Sequence, residues 1–141
     1  MPTQTARSYS PEQIRRVLGK AFWGIARFYE FRREDQAILL GLSKNNRAPL
    51  GKLEENASIP DAESAEIVVG QLVGIHKSLG ILYPRADELE GNHRLKVSFF
   101  RRPMKELSDK TPMEFILEDE RRPISRLTAL RRILDIKRTA G

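Results

Sequence analysis

The spacing of apolar residues predicts helices along almost the whole chain. After Ser10, apolar positions recur at steps of three and four, which places them on one helix face: Ile14, Val17, Leu18, Ala21, Phe22, Ile25 and Phe28. A second stripe with this spacing comprises Val68, Leu72, Ile75, Leu79 and Leu82, and a third comprises Leu127, Leu130, Ile133 and Leu134. The clearest brief alternation, Leu95–Phe99, spans five residues, so we expect little β-sheet.

Capping residues and prolines predict where these helices begin and end. Ser10-Pro11-Glu12-Gln13 and Thr111-Pro112-Met113-Glu114 are typical of helix starts, and Gly41 is expected to end a short helix from about Glu34. A helix is expected to begin at Pro49 and to run to about Glu55. The long helix is expected to be capped by Asp61 and to end at Pro84, and the last helix to begin at Pro123. A weaker helix, broken near Gly91, is expected over residues 86–100. We therefore predict an all-α helical bundle.

The composition argues against an enzyme. The chain has 141 residues, no cysteine and two histidines, His76 and His93. Thiolate metal sites, iron–sulfur clusters and cysteine nucleophiles are excluded, and no HExxH motif is present. No paired carboxylates or glycine-rich phosphate loop stand out. We expect no metal, no cofactor and no catalytic residues, with His76 at the surface or partly buried and His93 in a loop.

Charge is distributed unevenly along the chain. Residues 1–33 carry seven basic and two acidic groups, residues 61–90 carry two and six, and residues 91–141 carry thirteen and seven. This pattern favours a polyanion or an acidic protein as partner, although ordinary surface charge would also account for it. The N-terminus has no apolar signal core, and the longest apolar run, Ala37–Leu42, is too short for a membrane span. We expect a cytoplasmic protein without a membrane partner.

The segment Ala37–Ser43 has the pattern of a helix-turn-helix. A small residue allows two helices to cross closely, a glycine four residues later makes the turn, and the serine can cap a reading helix. The predicted DNA contacts are Lys44, Asn45, Asn46, Arg47 and Lys52. An ordinary two-helix corner remains the alternative. Pro49 requires either that the second helix starts late or that the reading element is degenerate.

Two further clusters suggest interaction surfaces. Arg131, Arg132, Lys137 and Arg138 gather on the last helix, where cations also match the helix dipole. The adjacent Phe99 and Phe100 cannot both face one core from a single helix, so either one of them meets a partner or the pair forms a hydrophobic corner between helices. By the same argument at most one of Phe22 and Trp23 is fully buried, and this pair is available for dimerisation.

Four segments carry a resemblance to a known family. They are Val73–Pro84, a helix ending in a Leu-aromatic-Pro corner; Phe99–Met104, similar to a Trp-apolar-Arg-Arg-Pro-Asn segment; Lys110–Ile116, similar to a Gly-Arg-Ser/Thr-Pro-Leu helix start; and Leu130–Asp135, similar to a Val-Arg-x-Tyr-Leu-Asp ending. In this order and spacing the chain from Asp61 onward resembles the toxin-binding domain of the Xre/MbcA/ParS-type antitoxins.

The resemblance implies a function and a division of the chain. Residues 1–60 would form a helix-turn-helix-like region for DNA binding and dimerisation, and residues 61–141 the toxin-binding domain. The partner would be a RES-domain toxin that consumes NAD or transfers ADP-ribose, and the antitoxin would cover its active-site entrance. The contacts carried over are Arg101, Arg102, Arg131, Asp135, Lys137 and Arg138. A homodimer bound to its own operator is expected. The alternative is a stand-alone transcriptional regulator whose C-terminal domain serves dimerisation or effector binding.

Overall fold

The computed structural model describes residues 9–43, 47–121 and 123–140, and this part of the chain is all-helical. The helices are α1 Pro11–Phe28, α2 Arg33–Leu39, α3 Ala48–Glu55, α4 Glu63–Leu82, α5 Glu90–Val97, α6 Pro112–Leu117 and α7 Pro123–Ala140. Two short 3₁₀ turns, Phe99–Arg101 and Lys105–Leu107, connect α5 to α6. The described residues form no strand, and Met104 and Lys110 make an isolated bridge. The all-α prediction is confirmed.

Both predicted capping boxes are present. The Ser10 hydroxyl accepts the backbone N–H of Gln13 at 3.1 Å, and the Gln13 side chain accepts the Ser10 N–H at 2.8 Å. Thr111 and Glu114 repeat the arrangement at the start of α6 with the same two distances. Each box satisfies two backbone donors that have no partner within the helix. The starts of α1 and α6 are therefore fixed by local sequence, as predicted.

The predicted starts of α4 and α5 need correction. Ala62, not Asp61, is the N-cap residue of α4, and it makes no side-chain cap. The Asp61 carboxylate instead accepts a hydrogen bond from Arg15 of α1 at 3.0 Å, which ties the two helix starts together. Helix α5 begins at Glu90 and runs through Gly91, and it also contains His93, which was expected in a loop.

Helix α4 lies at the centre of the bundle and packs against α7 and α1. The hydrophobic core is continuous between the regions predicted as separate domains, since Phe22 and Leu39 belong to the same cluster as Leu72 and Leu134. Close packing also occurs at Gly19 of α1, where a Cβ atom would lie 2.1 Å from the carbonyl oxygen of Ala57. The lack of a side chain there lets the α3–α4 connection cross α1.

Both adjacent aromatic pairs are buried. For Phe99 and Phe100 this agrees with the alternative of a hydrophobic corner, and for Phe22 and Trp23 it corrects the expectation that at most one of them is fully buried. Phe22 and Trp23 are 0% and 1% exposed, and Phe99 and Phe100 are 4% and 2% exposed. The Trp23 indole donates a hydrogen bond to the Ser58 carbonyl at 2.8 Å, so α1 is covered on a second side by the α3–α4 connection. In each pair the two rings meet edge to face.

Helix α4 is unusually apolar for a helix with an exposed side. It is 20 residues long with a mean hydropathy of 1.3, so by length and composition it could cross a membrane, and no other helix in the described ranges could. Core helices of folded proteins share this property, and Val68, Leu72, Ile75 and Leu79 are all buried here.

Candidate functional site

Three of the residues carried over from the antitoxin resemblance share one edge of α7. Arg131, Asp135 and Arg138 are spaced by four and three residues, which aligns them along the side of α7 that faces α4. The Arg131 guanidinium lies across Gly74 of α4, where a Cβ atom would be 2.5 Å from its central carbon. It donates a hydrogen bond to the Gln71 side chain at 3.2 Å. The glycine therefore gives the arginine its path across α4.

The C-terminal part of this edge is organised around Ser78, whose side chain is buried. Its hydroxyl donates to the Asp135 carboxylate at 3.3 Å and accepts from the Arg138 guanidinium at 3.4 Å. Asp135 and Arg138 also form an ion pair at 3.8 Å, with 48% and 30% of their side-chain surfaces exposed. These two residues are oriented by the bundle and still accessible to a partner. We call Arg131, Asp135 and Arg138 the α7 edge.

Two of the other predicted toxin contacts, Arg102 and Lys137, are held by neighbours within the chain. Arg102 donates to the Leu95 carbonyl at 2.7 Å, to the Ser98 hydroxyl at 3.0 Å and to the Tyr83 hydroxyl at 3.3 Å, so it joins α4, α5 and the 3₁₀ turn. Lys137 pairs with Glu106 at 2.5 Å. This hydrogen bond holds the pKa of the Glu106 carboxyl below its usual range. Arg102 is therefore a structural residue as well as a candidate contact.

Arg101 lies apart from the α7 edge. It is exposed and stands 3.9 Å from the Glu30 carboxylate, beyond the end of α1. That pair is weak, because both side chains remain largely in water. The six predicted toxin contacts are thus not one cluster. Three of them form the α7 edge, two brace the chain beside it, and one lies near the end of α1.

The helix-turn-helix pattern folds as a two-helix corner. Ala37 is 0% exposed, and Gly41 has a φ of 81°, the left-handed conformation that ends α2. The Leu42 N–H donates to the Ala37 carbonyl at 2.7 Å and completes the turn. Helix α3 begins at Ala48 with Pro49 in its first turn, so the late-start interpretation is correct. Lys44, Asn45 and Asn46 lie outside the described residues.

The part of α3 that could face DNA carries little positive charge. Arg47 and Lys52 are exposed, as a phosphate contact requires. Glu54 and Glu55 follow on the same eight-residue helix, and Glu54 pairs with Arg33 of α2 at 2.6 Å. The helix itself is therefore slightly acidic. This composition is unfavourable for a helix that enters the major groove.

A cleft that the sequence patterns did not indicate lies between α1 and α4. Its volume is about 1090 Å³, and it is lined by Ala21, Gly24 and Phe28 from α1 and by Val73, His76 and Gly80 from α4, with charged residues at the rim. His76, expected to be at the surface or partly buried, is partly buried. Burial and the nearby Lys96 ammonium lower the pKa of His76.

The residues of α4 that meet the α7 edge were also missed. Gln71, Gly74 and Ser78 follow one another at steps of three and four, so they lie on one helix face. These polar or small residues stand out in an otherwise apolar helix, so the sequence contained a sign of a contact on this face. It could not show that the contact is with α7, because α7 is about 60 residues further along the chain.

Comparisons with known proteins give no match. No protein-family model, no curated protein and no solved structure matches the chain. Among the described residues no group of His, Asp or Glu side chains is arranged to hold a metal ion.

Proposed function

We propose that this protein is an antitoxin that binds a cognate RES-type toxin and covers the entrance to its active site. The observation that carries the proposal is the α7 edge. Arg131, Asp135 and Arg138 are three of the residues at which the antitoxin resemblance predicts toxin contacts. They are aligned along α7, held in place by α4 and partly open to solvent.

The chemistry of the α7 edge suits the proposed partner. Acidic side chains at the entrance of the toxin's active site would be complementary to the two guanidinium groups of the α7 edge. Arginine forms paired, charge-assisted hydrogen bonds with carboxylates and phosphates. Because Ser78 and Gln71 already orient the two arginines, less side-chain entropy is lost on binding than for free surface residues.

A stand-alone transcriptional regulator is the second candidate. The observation that favours it is the end of α2, where the buried Ala37 and the left-handed Gly41 stand as the helix-turn-helix pattern requires. An antitoxin that regulates its own operon would use the same corner, so the two functions are compatible. They differ in whether the α7 edge has a protein partner.

Coexpression with the product of the neighbouring gene tests the proposal. The chain should copurify with that product in fixed stoichiometry, and growth should be restored only when the chain is present. The double variant Arg131→Glu, Arg138→Glu reverses two charges on the α7 edge. We expect it to bind roughly 100-fold more weakly, or about 3 kcal/mol, because the substitutions break desolvated charge pairs at the interface.

Lys52→Glu provides the matched control, since it reverses an exposed charge on α3, in the candidate DNA-binding corner. It should leave toxin capture and growth rescue unchanged. Circular dichroism must show that all the variants remain folded. Equal capture by the α7-edge variant would reject the assigned contacts. The absence of any complex or toxicity with the neighbouring product would reject the antitoxin proposal and favour the regulator.

A further inference from the structure

The cleft between α1 and α4 has an aromatic centre surrounded by nitrogen-bearing side chains. The ring of Phe28 meets the imidazoles of His76 and His93 edge to face, with ring centroids 5.7 Å and 5.9 Å apart. The Lys96 ammonium lies 5.4 Å from the centroid of the same Phe28 ring. One cation and two imidazoles therefore gather around an apolar surface, a combination found in sites that bind small molecules.

Lys96 carries a positive charge that no carboxylate contacts among the described residues. The nearby carboxylates of Glu88 and Glu90 are each paired with an arginine, at 2.9 Å and 3.6 Å. Asp87 acts on Lys96 only from a distance, since the two form no ion pair. Burial lowers the pKa of Lys96, because its ammonium has lost part of its hydration. An anion that enters the cleft therefore meets a partly desolvated cation without an ion-pair partner.

His76 places a second polar group beside this cation. Its Nδ1 is hydrogen-bonded to the Tyr29 hydroxyl at 2.7 Å, which fixes the orientation of the ring. Its Nε2 has no hydrogen-bond partner among the described residues and is not sealed from solvent. Lys96 is close enough for its charge to lower the pKa of His76. An anion bound between them would favour the tautomer in which Nε2 carries the proton.

The remaining walls of the cleft are apolar and leave room for a ligand. Ala21 and Ile25 of α1 and Val73 of α4 contribute to the lining, and 40% of Val73 is exposed. A Cβ atom built on Gly24 would meet nothing within 4 Å, so the space beside this residue is free. The volume of about 1090 Å³ is large enough for a small organic molecule.

We propose that this cleft binds a small amphipathic anion, a carboxylate on an apolar body, through Lys96 and His76. The carboxylate would contact the Lys96 ammonium and Nε2 of His76, and the apolar body would pack against Phe28 and fill the space beside Gly24. A neutral ligand would leave the ammonium without a partner, and an inorganic anion would leave the apolar walls uncovered. The site is independent of the proposed antitoxin function, because no residue of the α7 edge lines the cleft.

Nuclear magnetic resonance titration of the full chain tests the site with two carboxylates, the aromatic phenylbutyrate and the aliphatic octanoate. The imidazole resonances of His76 and the amide resonances of Gly24 and Gly80 should shift and saturate. The neutral phenylbutyramide is the matched probe, because it has the same apolar body without the charge. It should bind at least about tenfold more weakly than phenylbutyrate, since it forms no charge-assisted hydrogen bond with Lys96.

Two substitutions with opposite effects on the cation make the test specific. Lys96→Met keeps an apolar side chain but removes the charge, and it should weaken phenylbutyrate binding by at least about tenfold. Asp87→Asn removes the carboxylate that competes for the ammonium, and it should tighten binding about twofold or more. Lys77→Met is the matched control and should leave binding unchanged, because Lys77 is an exposed residue of α4 outside the cleft.

Gly24→Leu tests the position of the apolar body. The leucine would occupy the free space beside α1 and should abolish phenylbutyrate binding, while circular dichroism shows that the bundle remains folded. Binding that survives Gly24→Leu, or shifts confined to residues outside the cleft, would place the probe elsewhere and overturn the proposal.

The charge dependence can also overturn it. The absence of a saturable shift with both phenylbutyrate and octanoate would reject the site. Equal affinity for phenylbutyrate and phenylbutyramide, or unchanged affinity in Lys96→Met, would show that the ammonium does not bind the carboxylate.

Discussion

The buried hydroxyl of Tyr29 is hydrogen-bonded to Nδ1 of His76 over 2.7 Å, joining the end of α1 to the middle of α4. Tyr29 is 1% exposed, and its burial raises the pKa of the phenol well above its usual value. A buried hydroxyl needs a hydrogen-bond partner, and this ring nitrogen supplies it. Burial and the nearby Lys96 lower the pKa of His76, which favours the neutral ring.

This pair makes stability fall at mildly acidic pH. Burial and the nearby Lys96 lower the pKa of His76 in the folded state. As pH falls below about 6.5, the unfolded chain therefore binds a proton at His76 more readily than the folded chain does. The free energy of unfolding should decrease by at most about 1.4 kcal/mol per pH unit from this group. Denaturant titrations at several pH values measure the slope.

His76→Gln is the control for this pH dependence, because glutamine can still accept the Tyr29 hydroxyl but does not titrate. The slope between pH 5 and pH 7 should be smaller in this variant than in the wild-type protein. If the two slopes are equal, His76 does not carry the effect. Tyr29→Phe removes the hydroxyl instead, and the absence of its hydrogen bond should cost about 1 kcal/mol at neutral pH.

Gly19 is predicted to be intolerant of any side chain. In Gly19→Ala the new Cβ would lie 2.1 Å from the Ala57 carbonyl oxygen and 2.7 Å from the Ser58 Cα, and both atoms belong to the backbone. The connection must move, so we expect a decrease of about 2 kcal/mol or more in unfolding free energy. Thermal unfolding followed by the fluorescence of Trp23 measures this directly.

Gly70→Ala is the matched substitution, because a Cβ atom there would meet nothing within 4 Å. It should stabilise the protein by about 0.5–1 kcal/mol, since alanine loses less backbone entropy than glycine in a helix. Similar effects at the two glycines would contradict the close crossing at α1.

Arg102 and Arg131 are both candidate toxin contacts, but we expect only Arg102 to contribute strongly to the stability of the fold. Arg102→Ala removes three hydrogen bonds that join α4, α5 and the 3₁₀ turn, and it should cost about 1–3 kcal/mol of stability. Arg131→Ala removes one exposed hydrogen bond to Gln71 and should change stability by less than about 0.5 kcal/mol. Chemical denaturation measures both. The reverse order would show that Arg131 is the bracing residue.

If the corner at Gly41 mediates operator binding, this binding should depend on Arg47 and Lys52. The double variant Arg47→Glu, Lys52→Glu should bind the chain's own upstream DNA more weakly. Its salt dependence should be reduced by about 0.9 in slope for each phosphate that the variant no longer neutralises. Gel shifts over a series of salt concentrations provide the measurement. Equal affinity of the wild-type chain for an unrelated fragment would mean that the corner does not read sequence.

The helices and most of their ends follow from local sequence patterns. The stripes at steps of three and four, the capping boxes at Ser10 and Thr111 and the turn at Gly41 all act over a few residues. Their physics is local, since hydrogen bonds between residues three or four apart fix a helix start wherever the helix later packs. Asp61 shows the limit of this reasoning, because Arg15 of α1 takes the carboxylate that could have capped α4.

Which side chains are buried and which are accessible to a partner depends on how the helices pack. Phe22 with Trp23 and Phe99 with Phe100 are all in the core, because neighbouring segments cover each pair from more than one side. The sequence places Arg102 and Arg131 among the candidate contacts. It does not show that Arg102 connects parts of the bundle, whereas Arg131 lies exposed across Gly74. Burial and partners depend on contacts between distant residues, and a local pattern does not contain them.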